Sequence, residues 1–92
     1  MDEQTIQSLS ILKSSLHRRK IVESLSSSLL TPSEISKITN LRLNHVSMYL
    51  LQLKKAGLLE CLNEESKKGR IYQLTDLGKK TLKLMKIDPN KK

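Results

Sequence analysis

The stretch "LTPSEISKITNLRLNHVSMYLLQLKKAGLLE", Leu30 to Glu60, decides the fold. It opens on Thr31-Pro32-Ser33-Glu34, which spells a helix start. Threonine is the N-cap, proline takes the first helical position, and glutamate at the third closes a capping box. Ile35 and Ile38 supply the packing side of the short helix that follows. Asn40, a residue that tolerates the left-handed conformation of a tight turn, ends it. A longer helix begins near Arg42 and stops at Gly57. At about 100° per residue, Leu43, Val46, Leu50 and Leu53 gather into a core face flanked by Tyr49 and Ala56. Asn44, Met48, Leu51 and Lys55 fall opposite. His45, Ser47 and Gln52 lie to either side of them.

Upstream, Ile6, Leu9 and Leu12 recur at helical spacing, with Ile11 and Leu16 widening the stripe. This predicts a first helix over residues 5–15. Ser15 can cap a second helix over 16–25 that buries Leu16, Ile21, Val22 and Leu25. "HRRK", His17 to Lys20, places cations in its first turn, against the helix dipole; a nearby phosphate would relieve that strain. A solvated turn is the other reading. "SLSSSLL", Ser24 to Leu30, reads as loop. Downstream, "LLECL" and "IYQLT" are too short for helices and are separated by the charged turn "NEESKKGR". Together they predict a β-hairpin over 58–74, with Tyr72 and Leu74 on one side. Thr75 and Asp76 start a last helix over 75–86, which carries Leu77, Thr81, Leu84 and Met85 on one face. Leu82 and Ile87 add apolar surface. Residues 1–8 and 87–92 are expected to fray.

The expectation is therefore one mainly α domain with a small β-hairpin, residues 1–92. Its hydrophobic fraction is 37%, without Trp or Phe, which suits one aliphatic core and leaves little mass for an enclosed active site. Net charge is +8, from 17 Lys and Arg against 9 Asp and Glu, and this favours a polyanionic partner. Cys61 is the single cysteine, so no internal disulfide forms. No apolar run is long enough to span a membrane, and "MDEQTIQ" resembles neither a signal peptide nor a basic targeting arm; the cytoplasm is the expected location. His17 and His45 stand 28 residues apart from each other, without metal-ligand spacing toward Cys61. The three glycines form no phosphate loop. An enzyme, a metal, a cofactor and a small-molecule ligand are not expected.

The order of elements, with a turn of about three residues between the third and fourth helices, is a helix-turn-helix followed by a hairpin. A B-DNA major groove, about 12 Å wide, admits one helix, and a hairpin beside it reaches the backbone. Here the chain resembles the winged helix-turn-helix transcriptional regulators of the general ArsR/MarR kind, over roughly residues 9–85. The resemblance rests on the Val46, Ser47, Leu50, Leu53, Ala56, Gly57, Leu58, Leu59 pattern. Tyr72, Leu74, Thr75 and Gly78 follow it at wing distance. It divides the chain into a helix-turn-helix over 31–57, a wing over 58–74 and a C-terminal helix.

The resemblance implies that residues 42–56 form the recognition helix, with Leu43, Asn44, His45, Ser47 and Met48 facing the groove. Arg18 matches an arginine near the start of the second helix in ArsR-like proteins. Lys67, Lys68 and Arg70, within a wing tip over 63–70, would contact phosphates. Three departures are visible: Arg42 stands where Ser or Thr often caps the recognition helix, Met48 and Leu51 stand where polar or basic residues are usual, and the cysteine-rich metal box is missing.

Asn44 can pair bidentately with adenine at N6 and N7, or it can simply cap or solvate the helix start. His45 and Ser47 can meet a base or a phosphate, Met48 a thymine methyl or a protein partner. Gln52 and Lys55 would follow the groove toward the backbone. With Arg42 these complete the candidate DNA contacts. Tyr49 reads as packing, and Lys79, Lys80, Lys83 and Lys86 as a solvated face. The expected partner is double-stranded DNA, bound sequence-specifically by a homodimer formed through the first and last helices. A protein-docking module using Met48, Leu51 and the wing is the alternative. Single-stranded or RNA targets fit less well, because few aromatics are available for stacking.

Overall fold

A computed structural model describes residues 2–86. Five helices and one hairpin follow in the order α1 (Glu3–Lys13), α2 (Leu16–Ser24), α3 (Pro32–Thr39), α4 (Leu43–Lys55), β1 (Leu59–Cys61), β2 (Tyr72–Leu74) and α5 (Asp76–Lys86). Each junction has a local cause. Ser15 Oγ accepts from the Arg18 amide at 3.3 Å and caps α2. Around α3 the capping box is complete: Thr31 Oγ1 accepts from the Glu34 amide, and the Glu34 carboxylate accepts from the Thr31 amide at 2.9 Å. Asn40 takes the left-handed conformation, φ 61°, and ends α3. Gly57, φ 81°, turns the chain out of α4, a conformation that side-chain-bearing residues rarely adopt. Thr75 Oγ1 accepts from the Gly78 amide at 3.0 Å and donates to the Gly57 carbonyl, joining the start of α5 to the end of α4.

β1 and β2 pair antiparallel, with Leu59 opposite Leu74 and Cys61 opposite Tyr72. A third segment joins them. Leu30, expected in a loop, exchanges two backbone hydrogen bonds with Tyr72, of 2.9 and 3.3 Å. The core lies beneath: Leu12, Ile21, Val22 and Ile35 meet Val46, Leu50 and Leu53 of α4, with Leu58, Leu59 and Leu74 of the hairpin. Leu82 and Met85 of α5 close it from the other side.

Four apolar residues expected inside are exposed: Ile6, Leu16, Ile38 and Leu43. On α1, which packs on α5 and α2, the buried side is Thr5, Ser8 and Leu12, and Ile6 points to solvent. Short side chains let two helices approach, so the register of α1 is set by its neighbours rather than by its most apolar stripe. Leu16 and Leu43 are the first residues of their helices and lie at the margin of each core. The start of α1 is not frayed as expected, because Asp2 Oδ1 accepts from the Thr5 amide at 2.7 Å. Ile87 and the tail over 87–92 lie outside the described residues. Among those described, no helix is long and apolar enough to cross a membrane.

Candidate nucleic-acid interface

α4 carries the candidate interface. Ser36 Oγ donates to the Leu41 carbonyl and fixes the turn that presents the helix. Arg42 is its N-cap, extended at φ −67° and ψ 144°, and supplies no side-chain hydrogen bond. The first turn of α4 also holds no acidic residue. Its amide groups, with the positive end of the helix dipole, are thus left without a side-chain acceptor, a setting that suits an anion. The contrast with the fully capped α3, three residues earlier, is local and clear.

Past that turn, Val46, Leu50 and Leu53 face the core, while Asn44, His45, Ser47, Met48, Leu51, Gln52 and Lys55 are exposed. Leu43, Met48 and Leu51 are 48%, 45% and 56% exposed.

α2 buttresses this helix. Arg18 Nε donates to Gln52 Oε1 at 3.0 Å, and Arg18 Nη1 donates to the Ile11 carbonyl at 3.4 Å. His17 Nδ1 and the Tyr49 hydroxyl lie 3.3 Å apart, with the rings edge-on at 5.8 Å. Two members of the basic "HRRK" turn therefore hold α4 in place.

The wing is an internally bonded loop. Asn63 Oδ1 accepts from the Ile71 amide at 2.7 Å, and Asn63 Nδ2 donates to the Gly69 carbonyl at 3.2 Å. Arg70 Nε donates to the Ser66 carbonyl at 2.7 Å, and Arg70 Nη2 to the Glu64 carbonyl at 3.3 Å. Glu64 is ion-paired with Lys54 of α4, the one ion pair among the described residues. Their hydrogen bond holds the Glu64 carboxyl below its ordinary range and the Lys54 ammonium above its own. Both groups are solvent-exposed, so the pair orients the wing more than it stabilises the fold. Lys67 and Lys68 are exposed and make no ion pair among the described residues.

Between α4 and the wing lies an open concavity of about 680 Å³. Leu43, Ser47 and Leu51 form one wall, Lys67, Lys68 and Arg70 the other. Among the described residues no cluster of His, Cys, Asp or Glu could hold a metal ion. The Cys61 thiol donates to Asn63 Oδ1 at 3.6 Å and belongs to the wing's own bonding.

A capped positioning helix, a second helix held proud of the core and a cationic hairpin beside it form one recognisable arrangement. The family model described as winged helix-turn-helix matches residues 18–90. The chain belongs to the winged helix-turn-helix family. Similar solved structures carry the same fold. A MarR family transcription regulator superposes with a TM-score of 0.76 at 22% identity, over 92% of this chain and 58% of that one. The homodimeric winged helix-turn-helix DNA-binding domain of a possible ArsR-family transcriptional regulator from Mycobacterium bovis gives 0.73 at 19% identity, over 90% and 76%. A MarR family transcriptional regulator from Silicibacter pomeroyi gives 0.70 at 12% identity, over 92% and 63%. This winged helix thus spans less than two thirds of either MarR structure. No curated protein matches the sequence.

Within the winged helix, the expected contact residues form two groups. Arg42, Leu43, Asn44, His45, Ser47, Met48, Lys55, Lys67 and Lys68 are exposed on α4, its entry turn or the wing. Arg18, Gln52 and Arg70 are instead bonded within the protein, the first two to each other. The Arg18–Gln52 and His17–Tyr49 pairs join residues more than 30 positions apart. Nothing in the local pattern of either partner signals them.

Proposed function

We propose that this winged helix is a sequence-specific, double-stranded-DNA-binding transcriptional regulator. α4 enters the major groove, the wing meets the adjacent backbone, and the protein acts as a homodimer. One observation carries the reading: Leu43, Ser47 and Leu51 from the exposed side of α4 border the same concavity as Lys67 and Lys68, which make no ion pair among the described residues. Asn44, His45, Ser47 and Met48 then meet base edges, the uncapped start of α4 and Arg42 seat a phosphate, and Lys67 and Lys68 hold the next strand. Arg18 and Gln52 position α4, and Arg70 shapes the wing. The net charge of +8 favours the encounter.

Dimerisation is supported by the Mycobacterium bovis domain, described as homodimeric, and by an outward-facing patch on α1 where Ile6, Leu9 and Lys13 line a shallow depression. Two recognition helices about 34–36 Å apart would read a pseudo-palindrome. The half-exposed Leu43, Met48 and Leu51 favour a second reading, in which the same face docks an apolar protein surface.

Selection from a random duplex library at physiological salt tests the proposal. Enrichment of a motif, with binding that weakens steeply as salt rises, supports DNA recognition. Failure to enrich any motif, with salt-insensitive capture of a protein partner, favours the second reading.

A further inference from the structure

The exposed face of α4 carries its own indication of which bases it meets. Its outermost line, each residue about one turn from the last, is Asn44, Met48, Leu51 and Lys55. Leu43 lies beside it, turned to the concavity rather than to the core. Cations stand only at the ends of this helix face, Arg42 at the cap and Lys55 in the last turn. Guanine is most often read by an Arg or Lys that reaches O6 and N7, and the middle of this face holds neither. In that position this helix has a methionine and a leucine, each about half exposed.

Apolar side chains in a major groove gain by covering the thymine C5-methyl, and an amide such as that of Asn44 suits the N6 and N7 of adenine. Both preferences belong to the same base pair. On a helix rising about 1.5 Å per residue, Asn44 and Met48 are separated by about 6 Å along the axis. That is close to two base-pair steps of about 3.4 Å.

We infer that the target of this protein is a run of A·T pairs, with Met48 and Leu51 seated on thymine methyls and Asn44 on an adenine about two base-pair steps from the pair under Met48. The inference rests on the proposed DNA-binding reading and narrows its substrate. An apolar face flanked by Arg42 on one side and Lys67 and Lys68 on the other suits a ligand with apolar groups between two phosphate rows. A major groove lined with thymines has that chemistry. A protein surface would have to place acidic rims around an apolar ridge.

The test uses the full chain and needs no variant at first. A duplex enriched from the random library is compared with the same duplex carrying deoxyuridine in place of each thymidine, a change that deletes only the methyl. Affinity is read by fluorescence anisotropy. Each methyl covered by the helix should give about a fourfold loss when it is removed. Met48→Ala should abolish the response to one of those substitutions and leave the others unchanged, closing a double-mutant cycle between one side chain and one methyl. An enriched site dominated by G·C pairs opposite α4, or uracil duplexes bound within twofold of the thymine ones, overturns the inference while leaving DNA binding intact. Absence of any duplex binding overturns both.

Discussion

Replacing both Lys67 and Lys68 by alanine should change the salt dependence of DNA binding by an amount the structure sets. Four cations surround the concavity, yet they are not equivalent. Lys54 is engaged by Glu64, and Arg70 donates to the Ser66 and Glu64 carbonyls. Lys67 and Lys68 have no such partner among the described residues and face solvent. Each phosphate neutralised on B-DNA contributes about 0.9 to the slope of log K against log salt. The double variant should therefore bind with a slope shallower by about 1.8 per protomer. Between about 50 and 200 mM salt, the unmodified protein should lose about tenfold more affinity per protomer than the variant does. Anisotropy titrations at four or five salt concentrations, on both the enriched duplex and an unrelated one, measure this directly. The loss should be similar on the two duplexes, because phosphates carry no sequence information. Lys54→Ala serves as the control and should leave the slope nearly unchanged. Parallel lines for the double variant and the unmodified protein, or a large slope change for Lys54→Ala, would refute the assignment of free and engaged cations.

Three further outcomes are expected. Gly78→Ala should destabilise the fold, because a Cβ there would stand 2.0 Å from the Leu58 carbonyl oxygen. Overpacking of that kind costs about 1–3 kcal/mol or more and outweighs the helix-propensity gain of about 1 kcal/mol, so thermal unfolding should show a lower Tm; an unchanged Tm would show that α5 can slide away freely. Asn44→Ala should weaken the enriched duplex more than random DNA, whereas an equal loss on both makes Asn44 a positioning contact. Glu64 should make stability pH-dependent: its hydrogen bond to Lys54 lowers the carboxyl from its ordinary 4.5, so the contribution is full above that value and is lost as pH falls through the lowered one. Urea denaturation of Glu64→Gln and of the unmodified protein should differ at neutral pH and converge in acid. A constant difference across that range would assign the effect of Glu64 to something other than its charge.

The parts of this fold that were legible in the sequence are those whose cause is local. A capping box, an Asn at a left-handed position and a Gly with positive φ each act within a few residues. They placed α3, the turn and the end of α4 nearly to the residue. Gly78 was visible as part of a motif, although its reason, the closeness of α5 to the Leu58 backbone, was not. Side-chain orientation was less legible wherever two faces competed. On α1 the periodicity of Ile6, Leu9 and Leu12 is real, but the neighbours of the helix fit Thr5 and Ser8. At the interface, charge type was legible and charge engagement was not. Arg18, Lys54 and Arg70 look like free cations in a list of residues, and only the tertiary structure reveals what each one holds.

The two hydrogen bonds between Leu30 and Tyr72 have a mechanical consequence. Leu30 immediately precedes the cap of α3, and Tyr72 opens β2 where the chain returns from the wing loop, so the helix-turn-helix and the wing are fastened at their common root. The root of the wing is thereby tied to the entry of α3. In the proposed complex with DNA, the spacing between the start of α4 and the wing lysines would act as a gauge against the double helix. A duplex that deviated from it would have to bend or change its groove width, and stiff and pliant base steps differ in what that deformation costs. Bases that no side chain touches would thereby influence which sites are held.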